Sequence, residues 1–130
     1  MKTLTIKDES MSGDILREIE VALKGELTTV REIISARVEA EVALYNERRS
    51  VYFQGFVQPK DTERTLNGYK FKAHRQIDPE KQVYIALDAF TKNGYFVLID
   101  NVQAESLDQE VLVDDQTRVS FIQLTPLVGG

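Results

Sequence analysis

The chain has 130 residues and a mass of 14.8 kDa, which is the size of a single domain. Its 42% hydrophobic and 28% charged residues are typical of a globular protein and exclude disordered and fibrous classes. No cysteine and only one histidine, His74, are present, which excludes disulfide frameworks, thiolate zinc sites and cysteine nucleophiles. The net charge of -5 argues against binding to a polyanion such as DNA and favours a protein partner.

Membrane insertion and secretion are not indicated by any segment. The first nine residues lack the apolar core of a signal peptide, and no stretch approaches the roughly 18 apolar residues of a membrane span. We therefore predict a cytoplasmic protein that binds neither membrane nor nucleic acid.

Residues 3–8 and 15–23 alternate between apolar and polar side chains, which predicts two half-buried strands joined by a turn at residues 10–14. The strongest helix signal follows, because Thr29 and Glu32 form a capping box and Thr28 offers a second cap. The apolar residues of this helix fall on one stripe, which predicts that it lies across a sheet: Val30, Ile33, Ile34, Val38, Val42 and Tyr45.

Residues 46–93 form a middle region that mixes strand-like and helix-like segments without one dominant period. Within it, residues 51–57 favour a strand with a bulge at Gly55, residues 61–66 a helical turn, and residues 69–72 a strand after a turn at residues 67–68. Asp78 and Pro79 begin a second helix, which ends at residues 93–94, where Gly94 can adopt the left-handed conformation. Its predicted buried stripe consists of Val83, Ala86, Leu87 and Phe90.

The final third of the chain predicts three more strands. Residues 95–99 form an apolar run typical of a central strand covered on both faces, and a turn at residues 100–101 leads to a short strand at 102–103. Residues 107–113 are interpreted as a mixed connection, and residues 117–125 as the last strand, which Pro126 ends. The order of elements predicts an α+β fold with a helix packed on one face of a mixed sheet.

The last strand runs directly into the sequence Pro126-Leu-Val-Gly-Gly130. Together with the opening hairpin and the Thr-Thr-Val-Arg-Glu-Ile-Ile helix, this ending resembles the ubiquitin-like β-grasp family, which includes the bacterial sulfur carriers of molybdopterin and thiamine synthesis. The resemblance covers residues 2–45 and 95–130. It implies one β-grasp domain over residues 1–130, interrupted by the 46–93 insertion and ending in a flexible tail at 125–130.

The resemblance also implies a function for the tail. An activating enzyme would use ATP to adenylate the Gly130 carboxylate, and Gly129 and Gly130 have no side chain to block a narrow channel. The chain would then be the substrate of these enzymes and no enzyme itself, with no stably bound cofactor or metal. In this interpretation it is a modifier of target proteins, similar to those that bacteria encode beside an activating enzyme, a conjugating enzyme and a JAB-type protease, some of which serve antiviral defence.

Two alternatives remain open at this point. The first is a sulfur carrier with a C-terminal thiocarboxylate, and the second is a β-grasp adaptor that is never conjugated. The modifier is favoured because sulfur carriers are close to minimal β-grasp domains, whereas this chain has a long insertion.

Alternation on the last strand predicts that Val119 and Phe121 face the helix and that Ile122 and Leu124 are exposed on the other face. Ubiquitin-like proteins dock their enzymes through an apolar patch there, so the resemblance implies that Ile122 and Leu124 bind partners. The tail residues Pro126, Leu127 and Val128 would join them. Burial of this face by the insertion is the alternative.

Two charged segments are weaker candidates. Basic residues alternate from Lys70 to His74 and Arg75, which favours a solvated strand edge over a contact with an acidic partner. The carboxylates of Asp108, Glu110, Asp114 and Asp115 lack the spacing of a calcium loop and indicate a solvated connection.

Overall fold

The computed structural model describes residues 1–48 and 50–124. The helices of this part are α1 (Val30–Arg48) and α2 (Pro79–Thr91). The strands are β1 (Lys2–Ser10), β2 (Ile15–Leu23), β3 (Leu27–Thr29), β4 (Tyr52–Phe53), β5 (Glu63–Thr65), β6 (Gly68–Lys70), β7 (Tyr95–Ile99), β8 (Val102–Gln103), β9 (Glu110–Leu112) and β10 (Val119–Gln123).

Five strands form one mixed sheet in the order β2-β1-β10-β7-β8. Its inner pair, β1 and β10, is parallel with Ile6 opposite Val119, whereas all other neighbours are antiparallel. Parallel strands cannot be joined by a tight turn. The first and last strands are therefore brought together across the whole chain. The predicted α+β class with a mixed sheet is confirmed.

The opening hairpin is confirmed, with Ile6 opposite Ile19 in β1 and β2. A register shift between Asp8 and Glu9 interrupts the ladder near the turn. One face is buried and the other carries exposed polar residues, as the alternation predicts. The hairpin thus supplies one wall of a core beneath α1.

Helix α1 begins where the capping box predicts, since the Glu32 N–H donates to the Thr29 hydroxyl at 3.2 Å. The hydroxyl of Thr28, which is buried, donates to the Glu32 carboxylate at 2.6 Å. All six residues of the predicted apolar stripe are buried. The core lies between this stripe and buried side chains of β1, β2, β7 and β10 in the main sheet: Leu4, Ile6, Val21, Leu23, Val97, Val119 and Phe121.

Helix α2 also begins as predicted, because the Asp78 side chain accepts from the Glu80 N–H at 3.0 Å and Pro79 is its first residue. The end differs from the prediction. Asn93, with φ of 60°, adopts the left-handed conformation in place of Gly94. Asparagine tolerates this conformation because its short polar side chain can bond locally. Of the predicted stripe, Ala86 and Phe90 are buried while Val83 and Leu87 pack partly buried against the core.

The middle region folds as a small three-stranded sheet, β4-β6-β5, followed by α2. The predicted helical turn at residues 61–66 is wrong, because residues 63–65 pair as β5 with β6. The strand predicted at 51–57 is only β4, and Gly55 lies outside it. The strand predicted at 69–72 is β6, which begins at Gly68 and ends at Lys70. These strands are too short to produce a recognisable alternation.

Two predictions for the final third also need correction. Strand β7 is interior, but it is not covered on both faces, because Phe96 and Leu98 point away from the core and are only half-buried. The connection at 107–113 contains β9, which pairs with β3. The turn at Asp100 and Asn101 is confirmed, and both residues have the positive φ values of a tight hairpin turn.

Candidate functional site

The predicted site residues lie at the end of β10. Gly129 and Gly130, together with Pro126, Leu127 and Val128, lie outside the described residues. Ile122 and Leu124 are described, so the structure gives the surroundings from which the tail begins. Strand β10 is paired on both sides, with β1 and with β7. Because β10 is hydrogen-bonded to a strand on each side, the position from which residues 125–130 begin is fixed.

Ile122 lies on the outer face of the sheet, opposite Phe96 of β7 and Glu9 of β1. Its neighbour on the same face, Ser120, is opposite Leu98. Phe96, Leu98 and Ile122 are each half-buried, and none of them packs against the core. We call these three residues the outer patch. Sequence reasoning predicted Ile122 as exposed and missed Phe96 and Leu98, because an apolar run of five residues resembles a strand covered on both faces.

Leu124 has a different environment from Ile122. It follows the last residue of β10 and lines a cavity of about 180 Å³ that is shared between the end of the sheet, α2 and the middle region. Phe56, Arg64 and Tyr69 line the same cavity, whereas Ile122 does not. Leu124 is half-buried. The middle region therefore lies beside Leu124. This agrees in part with the alternative in which the insertion covers Ile122 and Leu124.

A cluster of four charged side chains lies beneath α1, where sequence reasoning placed no site. Arg37 of α1 is fully buried and donates two hydrogen bonds to Asp8 of β1, one of them at 2.6 Å. Glu41 of α1 accepts from Arg37 at 3.2 Å and from Arg17 of β2 at 2.9 Å. We call Asp8, Arg17, Arg37 and Glu41 the buried charge cluster.

The buried charge cluster also holds the middle region. Glu41 accepts from the backbone N–H of Phe56 at 3.0 Å, and Arg17 donates to the backbone carbonyl of Gln54 at 2.7 Å. The Arg37 guanidinium lies 4.9 Å from the ring centre of Phe56 and 4.8 Å from that of Phe121. Contacts of this kind contribute about 2 kcal/mol when water is excluded. The cluster joins the hairpin, α1, β10 and the middle region at one point.

Burial and charge act in opposite directions in this cluster. Burial raises the pKa of Glu41 above its ordinary value, although the charges of Arg37 and Arg17 lower it. For Arg37, burial lowers the pKa, but the hydrogen bond to Asp8 and the charges of Glu41 and Asp8 outweigh burial and raise it. The donors and acceptors are used within the protein, so the arrangement supports a structural role and not a catalytic one.

His74 does not lie on a strand edge as the sequence predicted, because β6 ends at Lys70. Its ring is half-buried and stacks on Tyr45 with centres 5.1 Å apart. Its Nδ1 atom lies 2.6 Å from the Ser50 carbonyl oxygen. Among the described residues, no group of three or more His, Asp or Glu side chains is arranged to hold a metal ion.

Comparison of the chain with protein-family models, with curated proteins and with solved structures gave no significant match. No helix in the described part of the chain is long and apolar enough to cross a membrane. The function is therefore argued from the sequence and the geometry alone.

Proposed function

We propose that the chain is a ubiquitin-like β-grasp protein whose Gly130 carboxylate is activated by a partner enzyme with ATP and then joined to target proteins. The observation that carries this proposal is the position of the tail. Residues 125–130, which end in Gly129 and Gly130, directly follow β10, and β10 is an inner strand parallel to β1.

The arrangement of the sheet supports the β-grasp part of the proposal. An opening hairpin, a helix packed on one face of the sheet and a last strand placed before the diglycine end are the elements on which the resemblance rests. The structure has all three, with β10 between β1 and β7 and with α1 over the inner face. The interruption at residues 46–93 falls between α1 and β7, where it leaves this order intact.

The geometry of β10 suits a reactive tail. Six residues follow Leu124, and an extended chain of this length reaches about 20 Å at roughly 3.3 Å per residue. The reactive group would thus enter the active site of a partner while the folded part stays outside. A diglycine adds no side-chain volume at the atoms that react.

The outer patch supplies a surface for the enzymes that receive the tail. Ile122 lies on β10, which leads into the tail, and Phe96 and Leu98 lie on its neighbour β7; all three are half-buried and do not pack against the core. A contact of apolar residues with a polar rim is the usual anatomy of a protein interface. Thr5 and Lys7 of β1 are exposed on the neighbouring strand and provide such a rim.

The middle region favours a modifier over a sulfur carrier. It is tied into the core through Phe56, whose ring lies 5.0 Å from Tyr95 and 5.4 Å from Phe121. It also lines the cavity beside Leu124. An enzyme that accepts the tail would meet this region, which suits recognition by dedicated conjugating enzymes.

Mass spectrometry in the native host tests the proposal. The last basic residue is Arg118, so trypsin would leave residues 119–130 attached through Gly130 to a residue of each target. We expect this branched peptide with the full chain and its loss when Gly129 and Gly130 are deleted. Leu66→Ala, at a fully exposed turn residue far from β10 in the sequence, is the matched control and should leave conjugation unchanged.

Other outcomes point to the alternatives. A free chain with one oxygen of the Gly130 carboxylate replaced by sulfur would indicate a sulfur carrier. Partner modification that survives deletion of Gly129 and Gly130 would contradict the role of the tail. A mature protein in which Gly130 keeps its free carboxylate, with no target that carries residues 119–130, would favour the adaptor.

A further inference from the structure

The small sheet formed by β3 and β9 exposes a pair of leucines. Leu27 and Leu112 lie directly opposite each other in the antiparallel ladder, and their side chains are 64% and 70% exposed. Opposite residues in such a ladder have Cβ atoms about 4.5–5.5 Å apart. The adjacent pair, Thr28 and Val111, is buried on the other face. One face of this sheet thus packs on the core, while the two leucine side chains on the other face are exposed to solvent next to each other.

Carboxylates are frequent in the sequence around this leucine pair. Residues 105–116 contain five Asp and Glu and no Lys or Arg, so their charge of -5 equals the net charge of the entire chain. Glu110 follows the alternation of β9 onto the same face as Leu112, and Glu26 precedes Leu27. Among the described residues, neither Glu26, Glu105 nor Glu110 forms an ion pair.

The other acidic side chains in this segment are only loosely neutralised. Asp108 pairs with Arg31 at 3.2 Å and Asp115 with Lys2 at 2.7 Å, and both carboxylates are almost fully exposed. Exposed pairs of this kind are screened by salt and exchange readily with other partners. The hydrogen bonds from the Gln116 backbone and the Thr117 hydroxyl lower the pKa of Asp114, so it stays ionised in mild acid.

We propose that Leu27 and Leu112, with the carboxylates of Glu26 and Glu110, form a docking surface for a cationic segment of another protein. The segment would carry an apolar side chain that covers the leucine pair and Lys or Arg residues that face the carboxylates. Complementary charge sets the orientation and speed of such an encounter, and the apolar anchor supplies affinity. The same charge repels nucleic acid and anionic lipid, which leaves a basic protein segment as the occupant.

The docking surface lies at the opposite end of the main sheet from the end of β10. The ion pair of Lys2 with Asp115 marks the start of β1, whereas Ser10, at the end of β1, is opposite Gln123 at the end of β10. Eight residue steps of strand separate these ends by about 26 Å. A partner could therefore occupy the docking surface without covering the end of β10 or the outer patch. The inference does not depend on any reaction at Gly130.

Nuclear magnetic resonance with two synthetic peptides tests the docking surface on the full chain. The probe is a twelve-residue peptide of alternating Lys and Leu, and its counterpart has Glu in place of Lys. We expect the Lys peptide to shift the backbone signals of residues 26–29 and 105–116 and the Glu peptide to leave them unchanged. Raising the salt concentration should weaken the binding.

Variants distinguish binding at this surface from non-specific binding of the peptide. The double variant Leu27→Ser/Leu112→Ser and the double variant Glu26→Lys/Glu110→Lys should each raise the Kd for the Lys peptide at least tenfold. The matched controls Leu66→Ser and Glu63→Lys, both exposed residues of the β5 hairpin, should leave it unchanged. Native-like spectra of the free variants would show that the fold is kept.

Four results would overturn the inference. These are the absence of shifts at millimolar Lys peptide, shifts centred outside the docking surface, equal effects of the two peptides, and a Kd that the leucine and carboxylate variants do not change. Signals of residues 26–29 and 105–116 that depend on protein concentration without peptide would indicate a second copy of the chain as the occupant, which also contradicts the proposal.

Discussion

Arg37 of α1 donates two parallel hydrogen bonds to the carboxylate of Asp8 of β1 inside the core. Arg37 is fully buried and Asp8 is 4% exposed. A buried cation is tolerated only when it is paired and hydrogen-bonded, and the planar guanidinium matches a carboxylate in this geometry. The pair fixes the distance and register between the helix and the first strand, on the side of the sheet where β10 lies.

Removal of Arg37 should destabilise the protein strongly. Arg37→Met leaves Asp8 buried without its main partner, and we expect a loss of about 3–5 kcal/mol in the free energy of unfolding. Arg37→Lys should recover only part of this loss, because an ammonium group cannot make the two parallel bonds. Urea unfolding at pH 7 measures both variants.

The control for this prediction is Arg31→Met, on the exposed face of the same helix. Its ion pair with Asp108 is exposed, so its removal should change the free energy of unfolding by about 0–1 kcal/mol. The double variant Asp8→Asn/Arg37→Met should be less destabilised than the sum of the two single variants. A result in which the two losses simply add would show that the pair is not coupled.

The stability contribution of Glu41 should depend on pH in a direction set by its burial. Its pKa is raised in the folded protein above the ordinary value of 4.5, so the folded state binds a proton more readily than the unfolded state. Stability from this group is then greatest at acid pH and falls as the pH rises through the folded pKa. The destabilisation caused by Glu41→Gln should therefore be larger at pH 4 than at pH 7.

Urea unfolding of the full chain and of Glu41→Gln from pH 4 to pH 8 gives this difference. The other ionisable groups are common to both proteins, which largely removes them from the comparison. A destabilisation that grows with rising pH would mean that attraction to Arg37 and Arg17 outweighs burial.

The buried charge cluster also shows where sequence reasoning stopped. Arg37 and Glu41 fall on the same helical stripe as Ile34, Val38 and Tyr45, and Asp8 continues the inward alternation of Leu4 and Ile6. An acidic residue at an inward strand position and a basic residue on a buried helix stripe are a complementary pair. This signal is readable, but charged residues are almost never fully buried unless they are paired. Periodicity arguments therefore assign them to solvent.

Elements with a strong local signal were predicted, and elements that depend on distant partners were not. The hairpin has nine-residue strands, and the two helices have side-chain caps at Thr29 and Asp78. Strand β9 has three residues and pairs with the distant β3, whereas β5 pairs with the adjacent β6 but is only three residues long, too short for a recognisable alternation. The outer patch was found only at Ile122, because which face of β7 is covered depends on the tertiary fold and not on the run itself.

Gly68 should be far less tolerant of alanine than Gly25. Gly68 has φ of 118°, and a Cβ atom there would lie 2.7 Å from the carbonyl oxygen of Phe53 in the neighbouring strand. Backbone strain of this type costs about 1–3 kcal/mol. A Cβ at Gly25 would meet no atom within 4 Å. Gly68→Ala should therefore lower the thermal midpoint by several degrees while Gly25→Ala leaves it nearly unchanged, and equal effects would contradict the assigned turn.

The outer patch should matter for partners more than for stability. Phe96→Ser/Ile122→Ser removes apolar side chains that do not pack against the core, so the double variant should fold with a normal circular dichroism spectrum. Under the proposed function it should lose most of the branched 119–130 peptide on targets, since the docking enzyme loses its apolar contact. Leu66→Ser, at a fully exposed turn residue, is the control and should retain conjugation. Normal conjugation by the double variant would remove the outer patch from the mechanism.

Phe56 should decide whether the middle region stays attached to the sheet. Its ring contacts Tyr95, Phe121 and the Arg37 guanidinium, and its backbone N–H donates to Glu41. Phe56→Ala removes the ring contacts but keeps the backbone bond, and loss of such an aromatic side chain costs about 3–5 kcal/mol when it is fully buried. Phe56 is only half-buried, so we expect a smaller loss, together with a local effect. Amide exchange should accelerate in β4, β5 and β6 more than in β1 and β10. Tyr84→Ala, at an exposed position of α2, should change neither region, and equal acceleration in all strands of Phe56→Ala would show that the middle region and the main sheet unfold as one unit.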